Sequence, residues 1–354
     1  MKKKLALLIA VSIVAVVIFA GCAAPPKEEK PTTTPTTVKT WRWATADPGS
    51  YGYRVITGMV DILKRNLPQY DFSIKPYSST TAAIKGFCKD EAESVYLADL
   101  GFGKLYNFTG PFEGFEPEVK QMPVQTFWAY TMETFILIPK DKADEIKSWS
   151  DLDGKPVFLT PAGYMNHLNI RRALNALGVN PQHVEVDSKF VCKAIEDGTI
   201  VATALYTTAG RSLPTWGQEL MISCKGKLVP LNPTPEEIEK LKEAGLDVKE
   251  IDAKKVSEDF EGVIYGVPFY FGYHSSPKMS EEDIYTMLKT LDENSEMLAS
   301  VDPGLEPLAK NFAEFQYKGV KSCDPSVIPV HPGLAKFLKE KGLWESEWDK
   351  YIAK

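Results

Sequence analysis

Two α/β lobes are the architecture this sequence predicts, and three observations carry the prediction. Strand-like and helix-like segments alternate in two successive sets. The body of the chain, from about Trp41 to Lys354, is longer than one hydrophobic core usually supports. Turn and capping residues stand between the segments where βα units need them.

In chain order, Thr40 to Thr45 reads as a strand, and the turn-rich Asp47-Pro48-Gly49-Ser50 follows it. Ile56, Met59, Val60 and Leu63 then recur at helical spacing. Phe72 to Tyr77 and Ser94 to Leu100 are further strands of this first set. The second set opens with Thr134 to Ile138 and continues through Val157-Phe158-Leu159. A helix carrying Ile170, Leu174 and Leu177 comes next and stops at Gly178, and Val184 to Val186 and Ile200 to Tyr206 are its later strands. Thr234-Pro235-Glu236-Glu237 combines an N-cap, a proline at the first helical position and an acid three residues after the cap. Ser280 with Asp283 repeats that capping logic before Ile284, Met287, Leu288 and Leu291. No internal repeat at a fixed period is present.

The amino terminus predicts export. Lys2, Lys3 and Lys4 precede an apolar run from Leu5 to Ala20 broken only by Ser12, shorter than a usual membrane span. Phe19-Ala20-Gly21-Cys22 resembles a lipobox, with Phe19 where the pattern prefers Leu. Residues 1–21 are thus expected to be a lipoprotein signal peptide and Cys22 the lipidated residue; an uncleaved membrane anchor is the alternative. Residues 22–40, rich in Pro, Thr and charge, read as a tether that holds a domain off a bilayer. The expected location is the cell membrane, lipid-anchored and facing the periplasm or cell exterior.

Composition narrows the function classes. Removing the signal takes away three lysines, so the 41 basic and 47 acidic residues become 38 and 47, a balance of −9. An acidic surface is a poor match for nucleic acid. With Cys22 lipidated, Cys88, Cys192, Cys224 and Cys323 remain, which permits two disulfides in three connectivities. Cys192 with Cys224 is the preferred pair, since both fall in the middle segment. No CxxC spacing exists and the four histidines are scattered, so neither a metal site nor a cofactor is expected.

Four segments resemble the TAXI-type solute receptors of tripartite ATP-independent periplasmic (TRAP) transporters. They are Gly49-Ser50-Tyr51-Gly52-Tyr53, Ala98-Asp99-Leu100-Gly101, Ser150 to Val157 with Pro161-Ala162-Gly163, and Ile328-Pro329-Val330-His331-Pro332-Gly333. Gly52 splits the usual tyrosine pair, and Val201 follows Asp197-Gly198-Thr199-Ile200 where related sequences often carry Asp. The resemblance spans about Trp41 to Trp344. It implies a type II periplasmic-binding-protein fold, two α/β lobes joined by two crossing hinge strands. Lobe one would comprise 38–133 plus 266–354 and lobe two 134–265, with hinge strands near Glu133 to Ile136 and Pro268 to Phe271. It also implies a small carboxylate or amino-acid solute, such as glutamate, and TRAP membrane subunits as partners.

In such a fold the solute sits between lobes, at loops after the carboxyl ends of strands. The loops Asp47 to Tyr53 and Pro161 to Asn166 both lead into helix N-termini, which suit an anionic group. Candidate ligand-binding residues are Ser50, Tyr51 and Tyr53 in the first loop and Tyr164 and Asn166 in the second. Ser79, Thr80 and Thr81 are hydrogen-bond donors or helix caps, and Tyr130 is a pocket floor or core residue beside Trp128. Thr207 and Arg211 follow a strand, with Arg211 a carboxylate clamp or a surface ion pair. Asp99 would meet a solute ammonium or cap a helix. His167 and Arg171 lie one turn apart, and His331 reads as a structural turn residue. A receptor for an ABC importer or a receptor kinase would share this fold. A secreted hydrolase finds no GxSxG, HExxH or Ser-His-Asp pattern in support.

Overall fold

The computed structural model describes residues 38–354. The expectations for the signal segment, for Cys22 and for most of the tether lie outside the described residues. The chain enters at β1 (Lys39–Thr45), then α1 (Tyr51–Asn66), β2 (Tyr70–Pro76), α2 (Thr80–Cys88), β3 (Ser94–Ala98) and α3 (Asp99–Tyr106). Ser50 starts α1 by accepting from Tyr53 N, and Ser79 starts α2 by accepting from Ala82 N, each filling an orphan donor. β1 pairs parallel with β2 and β3, the geometry that a βα rhythm produces.

β4 (Val124–Pro139) then runs for 16 residues, buried along almost its whole length. The sequence signalled only its second half, because a strand covered on both faces has no period-2 alternation to betray it. Beyond it come β5 (Pro156–Phe158), α4 (Met165–Ala176), β6 (Gln182–His183), α5 (Val191–Glu196), β7 (Ala202–Thr208), α6 (Thr215–Ser223), β8 (Leu228–Leu231), α7 (Pro235–Glu243) and β9 (Lys249–Asp252). β6 is an edge strand of two residues, so Val184 to Val186, expected as strand, lies just past the pairing. Gly178 sits at φ +74° and lets Val179 N reach Leu174 O at 2.9 Å, closing α4 where the sequence expected its end. α7 carries the complete capping box of Thr234 and Glu237; the same Glu237 carboxylate accepts from Trp149 N and Ser150 N and so ties α7 to the body.

β10 (Val263–Ser275) returns antiparallel to β4 and β3. After it α8 (Glu281–Glu293), α9 (Ser295–Val301), α10 (Glu306–Lys310), α11 (Phe312–Ser322) and α12 (Pro332–Glu340) complete the chain. The sheet order is β2-β1-β3-β10-β4-β7-β5-β6, with β8 on β4 and β9 on β10. One core packs residues 41–132 with 269–348; two others pack residues between Phe135 and Val267. The core therefore changes between Met132 and Phe135 on β4, and between Val267 and Phe269 on β10. Parallel α/β units on either side of two long crossing strands, with β10 inserted antiparallel beside β3, make this a type II periplasmic-binding-protein fold.

Of the cysteines, Cys192 and Cys224 form a disulfide with Cα atoms 5.6 Å apart, the expected pair. Cys88 and Cys323 are buried and free. Burial is the main force pushing both thiols up, Cys88 to about 12, so neither is a reactive thiolate at neutral pH.

Candidate functional site

The loops that follow the strand ends meet between the two cores. Ser50 and Tyr51 come from the start of α1, Thr80 from the start of α2, and Tyr164, Met165 and Asn166 from the start of α4. With Tyr96 of β3, Met132 of β4, Tyr206 of β7 and Phe271 of β10 they enclose a small chamber. Its room is about 10 Å³, the space of a single water. Three helix N-termini thus converge on one point, and α4 has no side-chain cap of its own. No charged side chain lines the chamber.

A second, outer chamber of about 260 Å³ shares Ser50, Tyr164 and Tyr206 with the first. Asp47, Lys189, Trp216 and Glu219 are also on its wall. The Tyr164 hydroxyl donates to the Asp47 carboxylate across the cleft, and Thr81 Oγ1 donates to Gly163 O at 2.9 Å. Burial first, and then the bond to Asp47, raise the Tyr164 pKa, so its phenol remains a donor. These contacts hold the cleft closed on its open side.

The tyrosines form a connected wall. Tyr130 donates to Tyr96 at 2.5 Å, Tyr96 stacks on Phe271 at 4.0 Å, and Tyr51 meets Tyr130 edge-on at 4.9 Å. Burial is the largest cause raising the pKa of Tyr51, Tyr96 and Tyr130, so the wall is neutral. The Tyr51 hydroxyl is spent on Asp302 at 2.6 Å and presents only its ring to the chamber. Asp302 also accepts from Arg54 at 2.8 Å, Ser212 at 2.7 Å and Gly304 N at 2.8 Å, joining the β7–α6 loop to the segment before α10.

The structure gathers some of the predicted residues and separates others. Ser50, Tyr51, Thr80, Tyr164 and Asn166 line the inner chamber; Ser79 and Thr81 stand beside it as a helix cap and a cross-cleft donor. Tyr53 offers its backbone N–H to Ser50 and does not line either chamber. Tyr130 lies behind Tyr96, in the core. Thr207 turns its hydroxyl to Glu133 at 2.9 Å, away from the cleft. Arg211 pairs with Glu306 and borders a separate groove with Arg54 and Ser212. Asp99 accepts from Leu100 N at 2.5 Å and Tyr270 N at 3.0 Å at the start of α3, outside both chambers. His331 caps α12 by accepting from Gly333 N. His167 bonds Thr160 O at 3.0 Å, and burial, chiefly, lowers its pKa.

Tyr96, Met132, Met165 and Phe271 were not singled out from the sequence. Tyr96 sits two residues before Ala98-Asp99, so its inward place on β3 could have been read from period-2 alternation; the others reach the chamber only through the crossing strands and the helix docking. Among the described residues no group of three His, Cys, Asp or Glu is placed to hold a metal, and no helix is long and apolar enough to cross a membrane.

Two α/β lobes with an enclosed chamber at their crossing define the class of bilobal cleft proteins. Within that class the family is shown by sequence: residues 43–342 match the NMT1-like family, and the chain belongs to it. No curated protein matches the chain. Among solved structures it is similar to the periplasmic aliphatic sulphonate binding protein SsuA from Escherichia coli, at 15% identity over 85% of this chain and 83% of that one, TM-score 0.45. The alkanesulfonate-binding protein SsuA from Xanthomonas axonopodis pv. citri, bound to MOPS, matches at 12% identity over 89% and 94%, TM-score 0.44. The OxyR2 regulatory domain from Vibrio vulnificus matches at 13% over 75% and 97%, TM-score 0.39.

Proposed function

We propose that this chain is an extracytoplasmic solute receptor that closes its lobes on a small organic acid or amino acid and delivers it to membrane subunits. The observation that carries the reading is the convergence of the α1, α2 and α4 N-termini on an enclosed chamber with no charged side chain. Free N–H groups and positive helix ends favour an anionic group such as a carboxylate, and a neutral wall leaves that attraction unopposed. Ser50, Thr80 and Asn166 would add side-chain donors, while Tyr51, Tyr96 and Phe271 would pack the solute's body. The inner wall holds no histidine, cysteine or carboxylate for nucleophilic or acid–base chemistry, which supports binding over catalysis.

Transport follows from geometry. The solute touches both lobes, so its binding energy favours the closed arrangement over the open one. A solute of several heavy atoms exceeds the room of one water, so admission requires the lobes to part about the crossing strands. The four motif segments favour TRAP membrane subunits as the partner; an ABC importer would use the same closure, and the neighbouring genes separate the two. Lipidation at Cys22 would keep the receptor beside that partner.

The test is a thermal-shift screen of the purified full-length chain against dicarboxylates, keto acids and amino acids. Stabilisation by at least one acid, growing with its concentration, is the expected result. A flat response across the whole set would refute the carboxylate reading. Arg211→Ala should weaken closure through the lost Glu306 contact and leave the choice of solute unchanged.

A further inference from the structure

The outer chamber has its own chemistry. It opens from the inner one, and its charged groups are Asp47, Glu219 and Lys189, two acids against one base. Asp47 is held in place: its Oδ1 accepts from Gly49 N at 2.9 Å and its Oδ2 from the Tyr164 hydroxyl. Each carboxylate oxygen keeps a second acceptor direction. Ser50 N bonds Asp47 O at 2.9 Å, so the Asp47 carboxylate and the N-terminus of α1 belong to one turn. A ligand carrying an anionic and a cationic group on the same carbon can reach both at once. Trp216 adds an aromatic wall, a favourable neighbour for an ammonium. Asp99, the acid that sequence reasoning placed near a solute ammonium, is occupied by Leu100 N and Tyr270 N outside the chambers.

We propose that the outer chamber is an ammonium subsite built on Asp47, which makes the receptor selective for α-amino acids over the matching 2-hydroxy acids. The inference rests on the carboxylate reading of the inner chamber. In the bound state the solute carboxylate faces the helix N-termini and its ammonium donates to Asp47. Tyr164 positions that carboxylate from the opposite lobe, so amine recognition and closure are linked through one hydrogen bond.

The experiment is calorimetric titration of the full-length chain with matched pairs: L-glutamate and (S)-2-hydroxyglutarate, and L-leucine and its 2-hydroxy counterpart. The expected result is that, in at least one pair, the amino acid binds on the order of tenfold to a hundredfold more tightly, the range for a charge-assisted hydrogen bond. Asp47→Asn should erase that ratio. Tyr164→Phe, which breaks the cross-cleft bond and retains the carboxylate, should weaken both members alike and preserve the ratio. Equal binding of both members by the wild type, or a ratio that survives Asp47→Asn, overturns the ammonium subsite and leaves the carboxylate reading standing. If Asp47→Asn does not fold, the wild-type ratio alone decides. Binding of neither member of any pair overturns the carboxylate reading, and the subsite falls with it.

Discussion

Glu133 is fully buried at the point where β4 passes between the cores, and its carboxylate accepts four hydrogen bonds. Thr131 Oγ1 and Lys249 Nζ each reach Oε1 at 2.8 Å; Thr207 Oγ1 at 2.9 Å and Gly210 N at 2.8 Å reach Oε2. Replacement by leucine fills the volume and strands these donors. Lys249, 41% exposed, can turn to water. The Gly210 N–H and the Thr207 hydroxyl are buried and cannot, at about 1–3 kcal/mol each. Glu133→Leu should therefore cost about 3–5 kcal/mol, as breaking one side of a buried polar cluster does. Glu133→Gln keeps one acceptor for Thr207 and Gly210 and turns its NH₂ toward Thr131 and Lys249, where one hydroxyl can rotate to accept. Its cost should be smaller, about 1–3 kcal/mol. Urea denaturation reads both as a lower midpoint at unchanged slope. A Glu133→Leu protein as stable as the wild type, or a glutamine variant worse than leucine, would refute this account of the cluster.

Three further outcomes are expected. Replacing Cys192 and Cys224 by alanine opens a loop of sequence separation 32 and should cost about 3–4 kcal/mol, read as a lower urea midpoint; an unchanged midpoint would show that the bridge does not restrain the unfolded chain. Burial depresses His274 to about 3 and His331 to about 4, below the ordinary 6.5, so the native state binds fewer protons than the unfolded chain. Stability is then full above about 6.5 and falls toward the folded values, by up to about 1.4 kcal/mol per pH unit for each histidine; His274→Asn, which keeps an acceptor for Thr126 N, should remove part of that slope in urea midpoints taken from pH 7 to 4. At Gly101 an added Cβ would lie 2.6 Å from Leu97 Cδ1 and 2.9 Å from Met165 Sδ, so Gly101→Val should hold α4 away from α3. Solute affinity should drop about tenfold as the cleft is propped open, and undiminished affinity would mean that Met165 simply moves aside.

Local chemistry was legible wherever one turn of chain contains both partners. Ser50, Ser79, Thr234 and Ser280 each cap the helix that follows, because an N-cap needs only a side-chain oxygen and an N–H three residues on. The strands alternating with amphipathic helices were legible for the same reason, within a residue or two at most ends. The length of β4 was not, since two-sided burial erases alternation. Nor was the fate of Arg211, whose partner Glu306 is 95 residues away, or of Tyr51, whose hydroxyl finds Asp302 251 residues on.

By itself the sequence determined that this is an α/β chain in two sets of βα units, with helix starts at the loops that later meet and cysteines in the middle segment able to pair. Those properties depend on spacing along the chain, which periodicity and capping read directly. The tertiary structure alone decided that three helix N-termini share one chamber, that Tyr96, Met132 and Phe271 wall it, and that Asp47 rather than Asp99 faces it. Two strands cross between the lobes and bring residues more than two hundred positions apart into contact, and no local rule carries information over that distance.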